Sequence, residues 1–332
     1  METRKVQVTG GSTYTVSLPK EWATENDVSA GSIVEFHSEE DLLLLAPRRE
    51  EGRIEGSLEV SGMDDAHELT RAVMTMYVSG FDVIRLEAGR ITATQRRIIR
   101  DATQGLVGLE VIEETTEHVV LQDLLDSSEL SIYNAITRMR LVSLTMLEDA
   151  VEALVTGDDE LARDVKERDD DVDRLWYMIS RVFRTVLRNP TAANEIGFPR
   201  DTCFDFQSGA RQLERIADHA TKIADLALEI EEIPESATES LTRLQVQASE
   251  VPETAMDALL EDDSDQAVEM ANEARRQIVG VDETVRDVDD QIRDLDPQRA
   301  QVLGLVVDSL SRTADYGGNI AESALQKAAP RP

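Results

Sequence analysis

The chain has 332 residues and a single cysteine, Cys203, which excludes a disulfide within the molecule and any zinc site built on cysteines. Aromatic residues make up 4%, and Trp22 and Trp176, like Cys203, read as packing residues. No long hydrophobic run exists: Leu42–Ala46 is far too short to span a bilayer. No apolar block follows the opening Met-Glu-Thr-Arg-Lys, so no signal peptide and a cytoplasmic location are expected. Gly10-Gly11 lacks the strand, loop, helix and lysine context of a phosphate loop. Histidine occurs only at 37, 67, 118 and 219, with no Ser-His-Asp or Cys-His constellation, so the chain is not expected to be an enzyme.

Acid is what the chain has in abundance. Sixty-seven Asp and Glu stand against 34 basic residues, a net charge of −33, and only five of the basic residues are lysine. Mimicry of nucleic acid or capture of cations is one reading. Acids spread over the whole length, with lysine nearly absent, favour instead a surface adapted to high salt, where repulsion is screened within a few ångströms. In such a composition roughly a dozen acidic i,i+4 pairs arise by chance, so spacing alone proves nothing.

Hydropathy patterning divides the chain into three parts: a β part at 1–46, a small α/β unit at 53–122 and a helical part at 126–328. Lys5–Val8 and Thr13–Leu18 alternate like strands around Gly10-Gly11, a hairpin signal. Pro19 opens a short helix over 20–26 at its first helical position. Strands at 32–37 and 42–46 follow, joined by a turn at Glu39-Glu-Asp41. So little structure buries little core, and the unit is expected to form a homodimer or higher oligomer. Residues 47–52 read as a polar linker. The middle unit has the order βαβαββ, with Asp64 as helix N-cap and both helices on one face of the sheet. From 126 apolar residues recur at helical spacing, and the breaks give six helices over 128–156, 159–188, 201–231, 236–260, 263–295 and 298–327. These form two three-helix repeats, about 126–231 and 236–328. The fold class is mainly α with a smaller β and α+β N-terminal part.

The repeats are tied by near copies, Leu213-Glu-Arg-Ile-Ala-Asp-His-Ala-Thr-Lys-Ile-Ala-Asp225 and Leu310-Ser-Arg-Thr-Ala-Asp-Tyr-Gly-Gly-Asn-Ile-Ala-Glu322, 97 residues apart. Glu214, Asp218 and Asp225 share one helical stripe beside the apolar seam of Leu213, Ala217, Ala220 and Ala224. Asp169 and Asp173 repeat the four-residue spacing on the preceding helix. Four carboxylates from two helices suit hard or borderline cations such as Fe, Mn, Mg or Zn. His219 is placed in a structural or supporting role, about 100° around the helix from Asp218.

The duplicated phrase, with the upstream Asp169-x-x-Val-Asp173, resembles the PhoU family of phosphate-uptake regulators over about residues 126–328. The resemblance implies two three-helix repeats, each with two acidic signatures that bind metal. Carried over by position, repeat one keeps Asp169, Asp173, Glu214 and Asp218. Aligning Val172 with Val285 puts Asp282 opposite Asp169 and Arg286 opposite Asp173, while Ser311 stands for Glu214 and only Asp315 is kept. One competent site for a divalent or trivalent ion and one degraded site are expected, with Asp225, Asp282 and Asp315 as weaker candidates. The first 46 residues resemble the SpoVT/AbrB family of swapped-hairpin DNA-binding domains, through Arg4-Lys-Val6, Gly10-Gly11, Thr15–Lys20, Gly31–Phe36 and Leu42–Leu45. That resemblance implies DNA contact through Arg4, Lys5 and Lys20. The net charge of residues 1–46, three basic against eight acidic residues, leaves open a module that only dimerises. The middle unit resembles a ferredoxin-like or ACT-like sheet in element order alone, which licenses no ligand.

Together the two resemblances imply a salt-adapted, archaeal-like transcriptional regulator of phosphate uptake. Its partners would be promoter DNA of phosphate-uptake genes, a second copy of itself and the ATPase of a phosphate ABC transporter, with no membrane insertion. The alternative is an adaptor that regulates the transporter by protein contact without binding DNA.

Overall fold

In the computed structural model, which describes residues 3–39, 42–48, 53–125, 131–230, 233–293 and 295–330, the chain divides into two compact units, Met1–Arg53 and Ile54–Pro332. Residues 40–41 of the expected turn at Glu39–Asp41, residues 49–52 of the expected linker at 47–52 and the first-helix start at 128 lie outside the described residues, and Pro47 ends a strand and does not start the linker.

In the first unit, Gly10 and Gly11 take φ of 66° and 84°, a left-handed pair that only glycine enters without strain. They fold β1 (Gln7–Thr9) back on β2 (Thr13–Thr15) in antiparallel register. Helix α1 (Lys20–Glu25) follows, with Pro19 at its N-cap and not at the first helical position. A second antiparallel pair, β3 (Val34–Glu39) and β4 (Leu42–Pro47), completes the unit. Among the described residues of this unit none is buried, and Val8, Tyr14, Ile33, Phe36 and Leu43 all stand more than half exposed.

The second unit begins with β5 (Glu55–Glu59), α2 (Ala66–Val78), β6 (Val83–Glu87), α3 (Ala93–Gln104), β7 (Leu109–Glu114) and β8 (His118–Asp123). The sheet order is β5-β6-β8-β7, with β5 and β6 parallel and β8 antiparallel to both its neighbours. Ile84 and Leu86 of β6 and Val119 and Leu121 of β8, spaced by two, share one core with Leu69, Val73, Ile98 and Ile99 of the helices. The α2 cap is Asp65 and not Asp64: its carboxylate accepts the Glu68 N–H at 2.9 Å. Thr92 and Gln95 form a capping box on α3.

The helical part comprises α4 (Ile132–Thr156), α5 (Asp159–Arg188), α6 (Pro190–Ile196), α7 (Arg200–Glu229), α8 (Glu235–Leu260), α9 (Ser264–Ile292) and α10 (Pro297–Ala328). The short α6 is additional to the six expected helices. Asn189-Pro190 does end α5, but a proline fits the first turn of a new helix, where its missing N–H has no partner to lose. Helices α4, α5 and α7 pack as one bundle and α8, α9 and α10 as the other. The bundles meet through equivalent helices, α7 on α10 and α4 on α8. Along the antiparallel α7–α10 crossing, Ser323 donates to Ser208 at 3.3 Å, Asn319 donates to Gln212 at 3.2 Å, and the His219 ring lies 3.2 Å from the Tyr316 hydroxyl. His219 and Tyr316 are the same position of the two copies, so the repeats touch across a point of internal symmetry.

One buried ion network fastens the α/β unit to α5. Arg181, 6% exposed, donates to the carbonyls of Tyr77 and Phe81 at 2.8 and 2.9 Å. It also pairs with Asp82 at 2.9 Å and with the buried Asp123 at 2.8 Å. An arginine buried this deeply is tolerable because its donors are met by carbonyls and carboxylates.

Candidate functional site

Helices α5 and α7 pack along most of their length, and this brings Asp169 and Asp173 of α5 opposite Glu214 and Asp218 of α7. Asp218 raises each of the other three. Burial, then Asp173 and Asp218, push the Asp169 carboxyl up to about 6. Burial, then Asp218, push Glu214 up to about 7 against the pull of Arg211. Asp173 is raised by burial and by Asp218, opposed by the Tyr177 hydroxyl, which donates to it at 3.3 Å. Asp218, on the solvent side, is raised by its packing, with Arg211, His219 and Arg215 opposing. Desolvated like charges that raise one another mark a site that gains from a cation.

Glu214 shows the demand most directly. Its Oε1 accepts from Arg211 at 2.7 Å, while its buried Oε2 has no hydrogen-bond partner. An orphaned carboxylate oxygen in an all-oxygen donor set fits a hard or borderline cation. Among the described residues, however, no three acidic, histidine or cysteine side chains close into a finished metal-ligand set. The donors are therefore the right kind and are gathered, but not drawn in.

Spacing alone did not single out Tyr177 and Arg211, although each lies one helical turn from a candidate, Tyr177 after Asp173 and Arg211 before Glu214. Arg211 also lies 5.2 Å over the Trp176 ring, which holds its guanidinium beside Glu214. Asp225 does not join the cluster: it forms an ion pair with Lys166 of α5. His219 faces the repeat interface, its ring centroid 5.6 Å from that of Tyr316 with the planes tilted by 47°, and burial lowers its pKa.

The second repeat requires a correction of register. The buried stripe Ala162, Val165, Val172 and Ile179 on α5 recurs 109 residues on as Ala271, Ala274, Val281 and Val288 on α9. Asp169 faces Thr221 in repeat one. At the matching place in repeat two, a Cβ on Gly318 would lie 2.9 Å from Cδ1 of Ile278. Ile278, and not Asp282, is thus the counterpart of Asp169, and Asp282 is that of Asp173. Arg286 moves to the counterpart of Tyr177, outside the carboxylate set. The sequence alignment slipped by one turn because α9 is rich in acids at every helical phase. Asp282 and Asp315, both exposed, are the two carboxylates left, beside Ser311 and Ile278.

In the first unit, Arg4, Lys5 and Lys20 are all exposed, and the last begins α1. No helix among the described residues is long and apolar enough to cross a membrane.

Comparison with known proteins agrees with both resemblances. Residues 136–227, which carry all four clustered carboxylates, match the PhoU domain. Residues 7–53 match the antidote-toxin recognition segment of the bacterial antitoxin MazE, a MazE/AbrB-type module that includes Lys20 but not Arg4 or Lys5. The chain is 29% identical over 181 residues to a protein of Pseudomonas aeruginosa named phosphate-specific transport system accessory protein PhoU homolog. That match covers 53% of this chain and 73% of the relative. A protein of the same name from Pseudomonas putida is also 29% identical over 181 residues, covering 53% and 69%. The crystal structure of PhoU from Pseudomonas aeruginosa shares the fold, with a TM-score of 0.51 at 24% identity over 58% of this chain and 93% of that one.

Proposed function

We propose that this chain is a PhoU-type regulator of phosphate transport in which a cation-binding helical sensor is joined to a DNA-binding dimer. The observation that carries the reading is the union, in one chain, of a PhoU domain with a MazE/AbrB-type segment that buries none of its described residues alone. Exposed Val8, Tyr14, Phe36 and Leu43 need a covering surface, and a second copy of the same segment supplies one. Doubling also brings two sets of Arg4, Lys5 and Lys20 together, the charge that phosphate contact requires.

In the sensor, Asp169, Asp173, Glu214 and Asp218 would hold a divalent or trivalent ion of the Fe, Zn, Mn or Mg type. A bound cation there supplies positive charge that offsets four desolvated carboxylates. The protein's part is to position them: Tyr177 orients Asp173, Arg211 holds one oxygen of Glu214, and α5 carries both aspartates on one face. Two turns beyond Asp173, the same helix anchors the α/β unit through Arg181, so strain on α5 reaches that unit directly. Promoter DNA of phosphate-uptake genes and the ATPase of a phosphate transporter are the partners the reading names.

A gel shift with promoter DNA of phosphate-uptake genes, at high salt, tests it. A sequence-specific shift that weakens when Arg4, Lys5 and Lys20 are replaced by alanine supports the reading. No specific shift, together with retained binding to the transporter ATPase, overturns it in favour of a pure adaptor. The excess of acid over base in residues 1–46 is the observation behind that alternative.

A further inference from the structure

Away from the carboxylate cluster, near the start of α7, lies a second desolvated acid that packing does not explain. Asp205 is only 7% exposed, yet among the described residues its carboxylate accepts no hydrogen bond and enters no ion pair. Burial, then Asp201 one turn earlier, push it up to about 6 against the pull of Lys327. Lys327 does not reach it: the ammonium is spent on the carbonyls of Leu259 and Glu261, at 2.9 and 2.8 Å, closing the end of α8. The repeat offers its own control. Ninety-seven residues on, the counterpart of Asp205 is Val302, partly buried against the core, so the helix packing at this place needs no carboxylate. A carboxylate desolvated on most sides, where the twin helix carries valine, is less stable than one fully in water.

Asp205 lines a cavity of about 210 Å³, open to solvent. Asp201, Thr202, Gln326 and Lys327 supply its polar wall beside Asp205, and Phe204, half exposed, with Ala329 its apolar one. We propose that this cavity binds a small organic cation, an alkylammonium or alkylguanidinium whose charged head meets Asp205 and Asp201 and whose aliphatic body lies along Phe204. Two carboxylates outnumber the one ammonium, Lys327, whose hydrogen bonds go to the carbonyls of Leu259 and Glu261, so the cavity disfavours an anion. No further acid, histidine or cysteine completes a metal-ligand set here among the described residues. The volume lies below the roughly 300–1,000 Å³ of sites for drug-sized ligands, which keeps the occupant small. The aromatic face beside the acids favours a cation with an apolar stem.

The test is calorimetric titration of the full chain at neutral pH and constant salt with n-butylammonium and n-propylguanidinium, and with 1-butanol as the neutral control. Saturable binding of at least one cation and none of the alcohol is expected. Asp205→Asn should weaken it about tenfold or more, the loss of a charge-assisted contact. A thermal midpoint no lower than the parent's shows that the variant has folded. Asp201→Asn, at the cavity mouth, should weaken binding less. The proposal is overturned if neither cation binds saturably, if Asp205→Asn binds as well as the parent, or if 1-butanol binds equally. Binding of an arginine-bearing peptide without either small cation also overturns it, and assigns the cavity to a partner's side chain.

Discussion

The two three-helix repeats share a packing plan and differ in what stands beside it. Leu213 and Leu310, Ala217 and Ala314, and Ile223 and Ile320 are buried alike in α7 and α10. Beside that seam, repeat one gathers four carboxylates, each raised by burial and three of them also by Asp218, whereas repeat two sets Ile278 and Ser311 between two exposed aspartates. Repeat one also carries the α/β unit on Arg181, where the matching place in α9 holds Asp290, exposed and paired with Arg293. Duplication thus provides a control inside one chain: what both copies keep is packing, and what one copy alone keeps is a candidate for function.

Replacing the anchor should break the comparison most severely. Arg181→Met leaves Asp123 buried without its partner, and urea unfolding should show a loss of about 3–5 kcal/mol. Asp290→Asn, the same place in repeat two, should change stability by no more than about 0.5 kcal/mol. Equal effects at the two sites would mean that the α/β unit is not held as described.

The next effect is a pH slope. Asp169 and Glu214 have folded values of about 6 and about 7, above their ordinary values. Between roughly pH 4 and pH 7 the folded chain therefore holds more protons than the unfolded one, so stability falls as pH rises through that window. Glu214→Gln should remove part of that fall, on the order of 2 kcal/mol in metal-free protein. Ser311→Ala in repeat two should leave the slope unchanged. Chemical unfolding at a series of pH values checks both.

Smallest is the contact at the symmetry point. His219→Ala and Tyr316→Phe should each cost about 1 kcal/mol, and a double-mutant cycle should return a coupling of about 0.5–1 kcal/mol. A coupling of zero would mean that the repeats do not meet through this pair.

Much of this was legible in the sequence because it rests on local periodicity. The βαβαββ order, the pairing of helices across the repeat and the four carboxylates of α5 and α7 all follow from spacing and turn residues. What was lost was lost for physical reasons. The register of α9 slipped by one turn because acids at every helical phase give the polar face no edge, and the buried stripe of Ala271, Ala274, Val281 and Val288 with the approach of Ile278 to Gly318 fixes it. Asp64 and Asp65 are adjacent and chemically alike, so backbone geometry alone selects the cap. Arg181 looked like one arginine among 29; its burial depends on partners 58 to 104 residues away. Asp205 lies in an ordinary amphipathic stretch, and only its missing partner sets it apart.

The central claim is that one repeat holds a cation and the other does not. Elemental analysis of protein purified without chelator tests it most directly, with Asp169→Asn, Glu214→Gln, Asp282→Asn and Asp315→Asn alongside the parent. The account predicts bound metal in the parent, loss of it in the first two variants, and parental content in the last two. Metal-free parent protein, or metal lost on changing Asp282 or Asp315 but kept without Asp169 and Glu214, would contradict it.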